Sequence, residues 1–253
     1  MNIGQTGGQV MRIGVMGTGT IASAVVRGIA GQGHLITVSE RSARHAQALA
    51  EAFGNVTVAD NQGVIDRSDV VLLGLMAEVA ADILAPLSFR PDQQVISMMA
   101  GATLGQVATM VAPAQAAAIM VPFPGIATGG SPVIAQGDIA LVQDIVASAN
   151  TVYAVDTEEE LAAYLCAQAV LSPVARLAED AAGWLGTRVA DRQAGEAFLR
   201  HLISSSLASS AVGALVEALN TPGGYNQRLR LTLEQGGMRE TLRAGLDRLE
   251  SGE

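Results

Sequence analysis

Short apolar runs recur along the first 155 residues, and helical spacing fills most gaps between them. Residues 12–16 and 34–39 have strand character, and residues 55–59 make a smaller strand. Residues 69–75 open on an acid and continue as an unbroken apolar run. Such a run suits a central parallel strand covered on both faces. Residues 95–98 form another, 116–121 and 132–135 are shorter, and 152–155 is expected to close the sheet. Between strands, residues 42–53 place Ala46, Leu49, Ala50 and Phe53 on one helical face, and Gly54 ends the pattern. Alternating strands and helices predict an α/β, doubly wound sheet.

The character changes near Asp156. Helical patterns over residues 159–183, 191–219, 225–235 and 238–250 follow with no strand-type alternation. Leu199, Leu202, Ile203, Ser206, Leu207 and Ser210 make one helix nearly apolar all round. Such a helix is buried, and so short a helical region cannot bury it alone. A helical dimer interface is the natural place for it. The expected organisation is an extension at residues 1–10, an α/β domain at 11–155 and a helical domain at 156–253.

Chemistry enters at Gly17-Thr18-Gly19-Thr20-Ile21-Ala22, which reads G-x-G-x-x-A between the first strand and a helix. Gly17 can take the turn's backbone angles, Gly19 leaves room for a pyrophosphate, and Ala22 lets the helix lie close on the strand. Free N–H groups at the helix start then face the phosphates. Glycine turns of this kind also join strands to helices with no ligand. The second strand, however, ends in Glu40-Arg41-Ser42, about 20 residues on, where an adenosine ribose is read. Glu40 favours NAD through the ribose hydroxyls, whereas Arg41 and Ser42 favour the 2′-phosphate of NADP. Arg41 and Arg44 also suit a solvated helix start, Arg44 above all.

Composition narrows the choices. The 253 residues carry a net charge of −9, which argues against nucleic acid or an anionic membrane surface as partners. No lysine is present, which excludes a lysine Schiff base or lysine general base. The single Cys166 excludes an internal disulfide and points to a reducing, cytoplasmic compartment. His34, His45 and His201 lack metal-ligand spacing. Residues 93–137 carry no charge, but Pro113, Pro122, Pro124 and Pro132 interrupt them short of a membrane span. Residues 1–10 lack the basic start and apolar stretch of a signal peptide.

A second candidate anion site is Asn220-Thr221-Pro222-Gly223-Gly224-Tyr225-Asn226, between two helices. Two glycines before a helix leave N–H groups without intrahelical partners, which suits a carboxylate. A plain helix–helix turn would use the same residues.

Together these segments resemble the pyrroline-5-carboxylate reductases over nearly all of residues 11–249. That family opens on a similar glycine turn. Its S-x-A-A-G is similar to Ser97-Met98-Met99-Ala100-Gly101, its S-P-G-G-x-T to residues 221–226, and its L-E-x-G-G to Leu233-Glu234-Gln235-Gly236-Gly237. The resemblance implies a Rossmann-type domain followed by an all-helical dimerisation domain, and hydride transfer from NADP, or NAD, in reduced form to a cyclic C=N bond, giving proline. It implies that Gly17 to Ala22, Glu40, Arg41, Ser42, Leu75, Met76 and Ala100 line the coenzyme. Thr221, Pro222, Gly223, Gly224, Tyr225 and Asn226 would hold an imino-acid carboxylate, with Asn226 and Tyr225 as catalytic candidates. The chain also departs from the family. V-K-P falls on Leu75-Met76-Ala77, M-P-N-T-P on Met120-Val121-Pro122-Phe123-Pro124, S-G-S-G-P on Ala169-Val170-Leu171-Ser172-Pro173, and the Thr after P-G-G is Asn226. A bulkier C=N substrate, or nucleotide binding without catalysis, therefore stays open beside proline formation.

Overall fold

The computed structural model describes residues 10–146 and 148–252. The extension expected at residues 1–10 lies, apart from Val10, outside them. The chain forms two compact units, one ending at Leu161 and the other beginning at Ala162.

The first unit is built on one sheet of eight strands: β1 (Arg12–Met16), β2 (Leu35–Ser39), β3 (Val56–Ala59), β4 (Val70–Leu73), β5 (Gln94–Ser97), β6 (Gln115–Pro122), β7 (Pro132–Gly137) and β8 (Thr151–Val155). Between them lie α1 (Thr20–Ile29), α2 (Ala43–Ala52), α3 (Asn61–Asp66), α4 (Ala77–Leu84), α5 (Leu104–Val111) and α6 (Ile139–Val146). The strand order is β3-β2-β1-β4-β5-β6-β7-β8. Chain order therefore reverses between β1 and β4. The carboxyl ends of those two strands open the crevice in which such sheets bind ligands.

All neighbouring strands are parallel except β6 and β7. That antiparallel pair was not foreseen in the sequence pattern. Only residues 123–131 connect the two strands, and a parallel crossover needs a dozen or more residues, usually including a helix. A short 3-10 turn, Pro124–Ala127, followed by Gly129 and Gly130 at positive φ, reverses the chain instead.

Val71, Leu72 and Leu73 of β4 are fully buried, as their continuous apolar run demands. At the base of the sheet Arg12 and Asp69 form an ion pair, with Nε donating to Oδ2 at 2.8 Å. The hydrogen bond from Arg12 holds the Asp69 carboxyl below its usual range. Both side chains stay half exposed, so solvent screens the pair and it adds little to stability.

His34 is a core residue. Its Nδ1 accepts from the Met11 backbone N–H at 3.2 Å, and its Nε2 is buried without a partner among the described residues. Burial lowers its pKa. The unfolded chain therefore binds the extra proton first as pH falls. Stability should stay level above the unfolded value of about 6.5 and fall as pH drops through it. Urea unfolding from pH 8 to 5 should show this loss, and His34→Gln should flatten it. Identical pH profiles for both proteins would exclude His34 as the source.

The second unit is helical: after α7 (Glu158–Ala167), which spans the division, come α8 (Leu171–Gly186), α9 (Arg192–Ser209), α10 (Val212–Ala218), α11 (Tyr225–Gln235) and α12 (Met238–Ser251). Two helices expected as continuous are broken. The 159–183 pattern is interrupted by a 3-10 turn, Gln168–Val170. Pro173 lies in the first turn of α8, where its ring would clash with the carbonyl of Ala169 in an unbroken helix. The stretch Glu158–Gly186 is nonetheless long and apolar enough, by length and composition, to cross a membrane. The 191–219 pattern breaks at Ser210, whose backbone is extended. Serine hydroxyls leading to it bond back to carbonyls, Ser205 to His201 at 2.7 Å and Ser209 to Ser206 at 3.0 Å, which weakens a helix.

Candidate functional site

The glycine turn sits at the carboxyl end of β1. Gly17 has φ of +83°, and a Cβ there would lie 2.4 Å from the Gly74 carbonyl oxygen. Gly74 follows β4 and donates its N–H to the Met16 carbonyl at 2.8 Å. The two backbones thus touch at the switch between the halves of the sheet. A Cβ at Gly74 would meet the Ala22 methyl at 3.0 Å, so a larger residue at position 22 would force α1 off the strand.

Ser39, the last residue of β2, fixes this turn from the side. Its Oγ accepts from the Gly17 N–H at 2.9 Å, and its carbonyl accepts from the buried Thr18 hydroxyl at 3.2 Å. Sequence reasoning missed Ser39 and Gly74. Their signal was only position, each at the carboxyl end of a strand.

Gly19 is the N-cap of α1, in extended conformation, and a Cβ there would meet nothing within 4 Å. No side chain caps the helix and no acid stands in its first turn. Its first N–H groups therefore point into open space at the positive end of the helix dipole. They face a cleft of about 410 Å³ lined by Gly19 to Ala22, Gly74 to Glu78, Met98 and Ala100. The structure thus gathers the expected Gly19, Thr20, Ile21, Ala22, Leu75, Met76 and Ala100 around one space. Met76 is the N-cap of α4 and is 69% exposed, so an apolar side chain stands at the cleft. Glu78, in the first turn of α4, adds a carboxylate that was not anticipated. Glu40, Arg41 and Ser42 form a 3-10 turn immediately after Ser39, with Glu40 and Arg41 exposed.

The chain has the pyrroline-5-carboxylate reductase fold. A 1-pyrroline-5-carboxylate reductase from Streptococcus pyogenes matches with a TM-score of 0.83 and 23% identity, over 96% of this chain and 98% of that one. A pyrroline carboxylate reductase from Plasmodium falciparum, with NADP bound, matches with a TM-score of 0.81 and 16% identity, over 96% of both chains. A reductive aminase from Aspergillus terreus in complex with NADPH and ethyl-5-oxohexanoate matches at 0.58 and 18%, over 86% of this chain and 79% of that one. Residues 12–101 match the family described as NADP oxidoreductase coenzyme F420-dependent. No curated protein sequence matches the chain. These likenesses establish an oxidoreductase fold related to both the pyrroline-5-carboxylate and the imine reductases.

In the helical unit, residues 220–226 form the turn before α11. Gly223 has φ of +74°, and Gly224 is the extended N-cap. The Gly223 N–H donates to Gln227 Oε1 at 2.8 Å and the Gly224 N–H to the Thr221 carbonyl at 2.9 Å. Both glycine amides are thus engaged within the turn. The N–H groups of Tyr225 and Asn226, in the first turn of α11, have no side-chain cap. Pro222 precedes the glycines. The Asn220 side chain accepts from Arg230 at 2.8 Å and Gln227 at 3.1 Å, and Arg230 also pairs with Glu234. This polar cluster braces the turn and gave no motif signal. Tyr225 is 91% exposed. Among the described residues, no group of three or more His, Cys, Asp or Glu could hold a metal ion.

Proposed function

We propose that the chain is an NAD(P)H-dependent reductase of a cyclic imine, with 1-pyrroline-5-carboxylate, reduced to proline, as the best-fitting substrate. The observation that carries this reading is the uncapped start of α1, opening on a cleft at the β1–β4 switch point. The fit is local and physical. Gly17 and Gly74 give the turn its close approach, Gly19 leaves the space a pyrophosphate fills, and the α1 N–H groups bind it. Arg41 and Ser42 take the 2′-phosphate of NADP, the coenzyme that the Plasmodium structure holds. The coenzyme, when bound, supplies the hydride.

The protein then has one further task, to orient the imine. First-turn N–H groups at Tyr225 and Asn226 hold the carboxylate, and the Asn226 side chain reaches the imine nitrogen. A protonated imine is already electrophilic, so no lysine or histidine base is needed. A 2-hydroxy-acid dehydrogenase, by contrast, needs such a base.

NADPH oxidation should appear with pyrroline-5-carboxylate and not without it. Absence of turnover across pyrroline and piperideine carboxylates would remove the reading. Arg41→Ala should raise the Kd for NADPH by about tenfold or more and leave that for NADH unchanged. Equal loss for both coenzymes would show that Arg41 reads no 2′-phosphate.

A second reading keeps the fold and the coenzyme but enlarges the substrate. The exposed Met76 at the cleft and the likeness to a reductive aminase favour it. A panel of bulkier cyclic imines separates the two.

The helical unit serves a soluble, cytoplasmic homodimer or larger homo-oligomer. Phe198 is 59% exposed and Leu202 and Leu207 each 47% exposed on α9, an apolar surface that a second copy would cover. Arg176 on α8, paired with Glu179 and Asp180, fits a water-facing side better than lipid. A sedimentation mass of one copy would exclude the oligomer.

A further inference from the structure

A second groove lies on the other flank of α1, about 290 Å³ in volume. Thr20, Ser23 and Arg27 line it from α1, and Arg44 and His45 from the first turn of α2. Ala127 of the 3-10 turn forms its end. It shares Thr20 alone with the coenzyme cleft. From Thr20 to Arg27 it runs about two helical turns, or roughly 10 Å.

Three properties set this groove apart. First, its charge is of one sign. Arg27 and Arg44 line it, no carboxylate does, and among the described residues neither guanidinium has an acidic partner. This occurs in a chain whose net charge is −9.

Second, α2 carries the wrong charge for its position. Its first turn holds Arg44, contains no acid, and gets no hydrogen bond from the Ser42 side chain. Cations at a helix N-terminus oppose the dipole. An anion in the groove would offset that cost.

Third, further polar groups stand beside the two guanidiniums. His45 Nδ1 lies 3.4 Å from the Ser23 hydroxyl, which also reaches the Thr18 carbonyl at 3.4 Å, and Thr20 lines the same space. Two guanidiniums, an imidazole and two hydroxyls around one small groove match a group with several acceptor oxygens and more than one negative charge.

We infer that this groove is a phosphate site, held by Arg27 and Arg44 with Thr20, Ser23 and His45 completing the shell. The inference stands whether or not the neighbouring cleft takes a coenzyme. The phosphate belongs to a separate small molecule, because the ribose 2′-phosphate is already assigned to Arg41 and Ser42 and the groove shares only Thr20 with the coenzyme cleft.

Isothermal titration of the full chain with inorganic pyrophosphate, at constant ionic strength, tests it. Wild-type protein should bind, and the R27A/R44A variant should bind at least about tenfold more weakly. R67A removes an arginine elsewhere in the first unit and should match wild type. Repeating the titration with NADH or NADPH present separates the sources. If pyrophosphate binding survives both, the ligand is a separate phosphate compound. If either coenzyme abolishes it, the pyrophosphate was occupying the coenzyme's own subsites and the separate site is overturned. No binding to the wild type, superimposed wild-type and R27A/R44A titrations, or equal weakening in R67A would overturn the site.

Discussion

Gly17→Ala should abolish coenzyme binding and unfold the first unit at markedly lower urea, whereas Gly19→Ala should abolish binding alone. The two glycines stand two residues apart and meet different constraints. Gly17 holds φ of +83°, and its added Cβ would sit 2.4 Å from the Gly74 carbonyl oxygen. The left-handed conformation costs a residue with Cβ roughly 1–2 kcal/mol, and overpacking adds about 1–3 kcal/mol. The obstructing atom is backbone, anchored by the Gly74 N–H to Met16, so it cannot swing aside.

Gly19 has ordinary angles and open space where its Cβ would go. Its substitution should change stability by less than about 0.5 kcal/mol. The same methyl would occupy the space proposed for the pyrophosphate. Urea unfolding by circular dichroism and NADPH titration of each variant measure the two effects separately. Gly19→Ala protein that binds NADPH as tightly as wild type would remove the coenzyme from this cleft.

Gly28→Ala should destabilise the first unit, although alanine is the better helix former. In an open helix the exchange stabilises by roughly 1 kcal/mol. Here the Cβ would lie 2.3 Å from the carbonyl oxygen of Ile126. Ile126 is fully buried in the 3-10 turn Pro124–Ala127, which packs on α1. Neither backbone can give way without opening the core, so overpacking of up to about 3 kcal/mol outweighs the propensity gain. Gly28→Val should cost more still. The measurement is the urea midpoint by circular dichroism, and a midpoint raised in Gly28→Ala would show that α1 can slide away from that turn. Such sliding would also widen the groove that ends at Ala127.

Much of this architecture was legible in the sequence because its signals are short. The run at residues 12–16 and the glycine turn after it specify strand, turn and helix within about a dozen residues. The helix Tyr225–Gln235 was placed to the residue, because Gly224 starts it and Gly236 stops it. At residues 169–173 the proline signal was visible, yet the apolar pattern around it read as one continuous helix. The break at Ser210 was hidden because serine is compatible with either state until its hydroxyls choose a carbonyl.

The candidate site divides in the same way. Gly17, Gly19 and Ala22 could be given roles from spacing alone, since each acts on its own turn. Ser39 and Gly74 could not, because their partners lie on other strands. Gly28 carries no signal of its own in the sequence, and only the approach of Ile126 gives it a task. His45 and Arg27 become neighbours only when α2 docks beside α1.

By itself, then, the sequence determined the local elements, the glycine turn and the change from an α/β to a helical region, because backbone propensity and apolar periodicity act over a few residues. The tertiary structure alone decided the strand order, the reversal of β7, the backbone contact between Gly17 and Gly74, and the cationic groove along α1. Those features join residues distant in the chain, and their energies come from packing and charge across space, which no local pattern encodes.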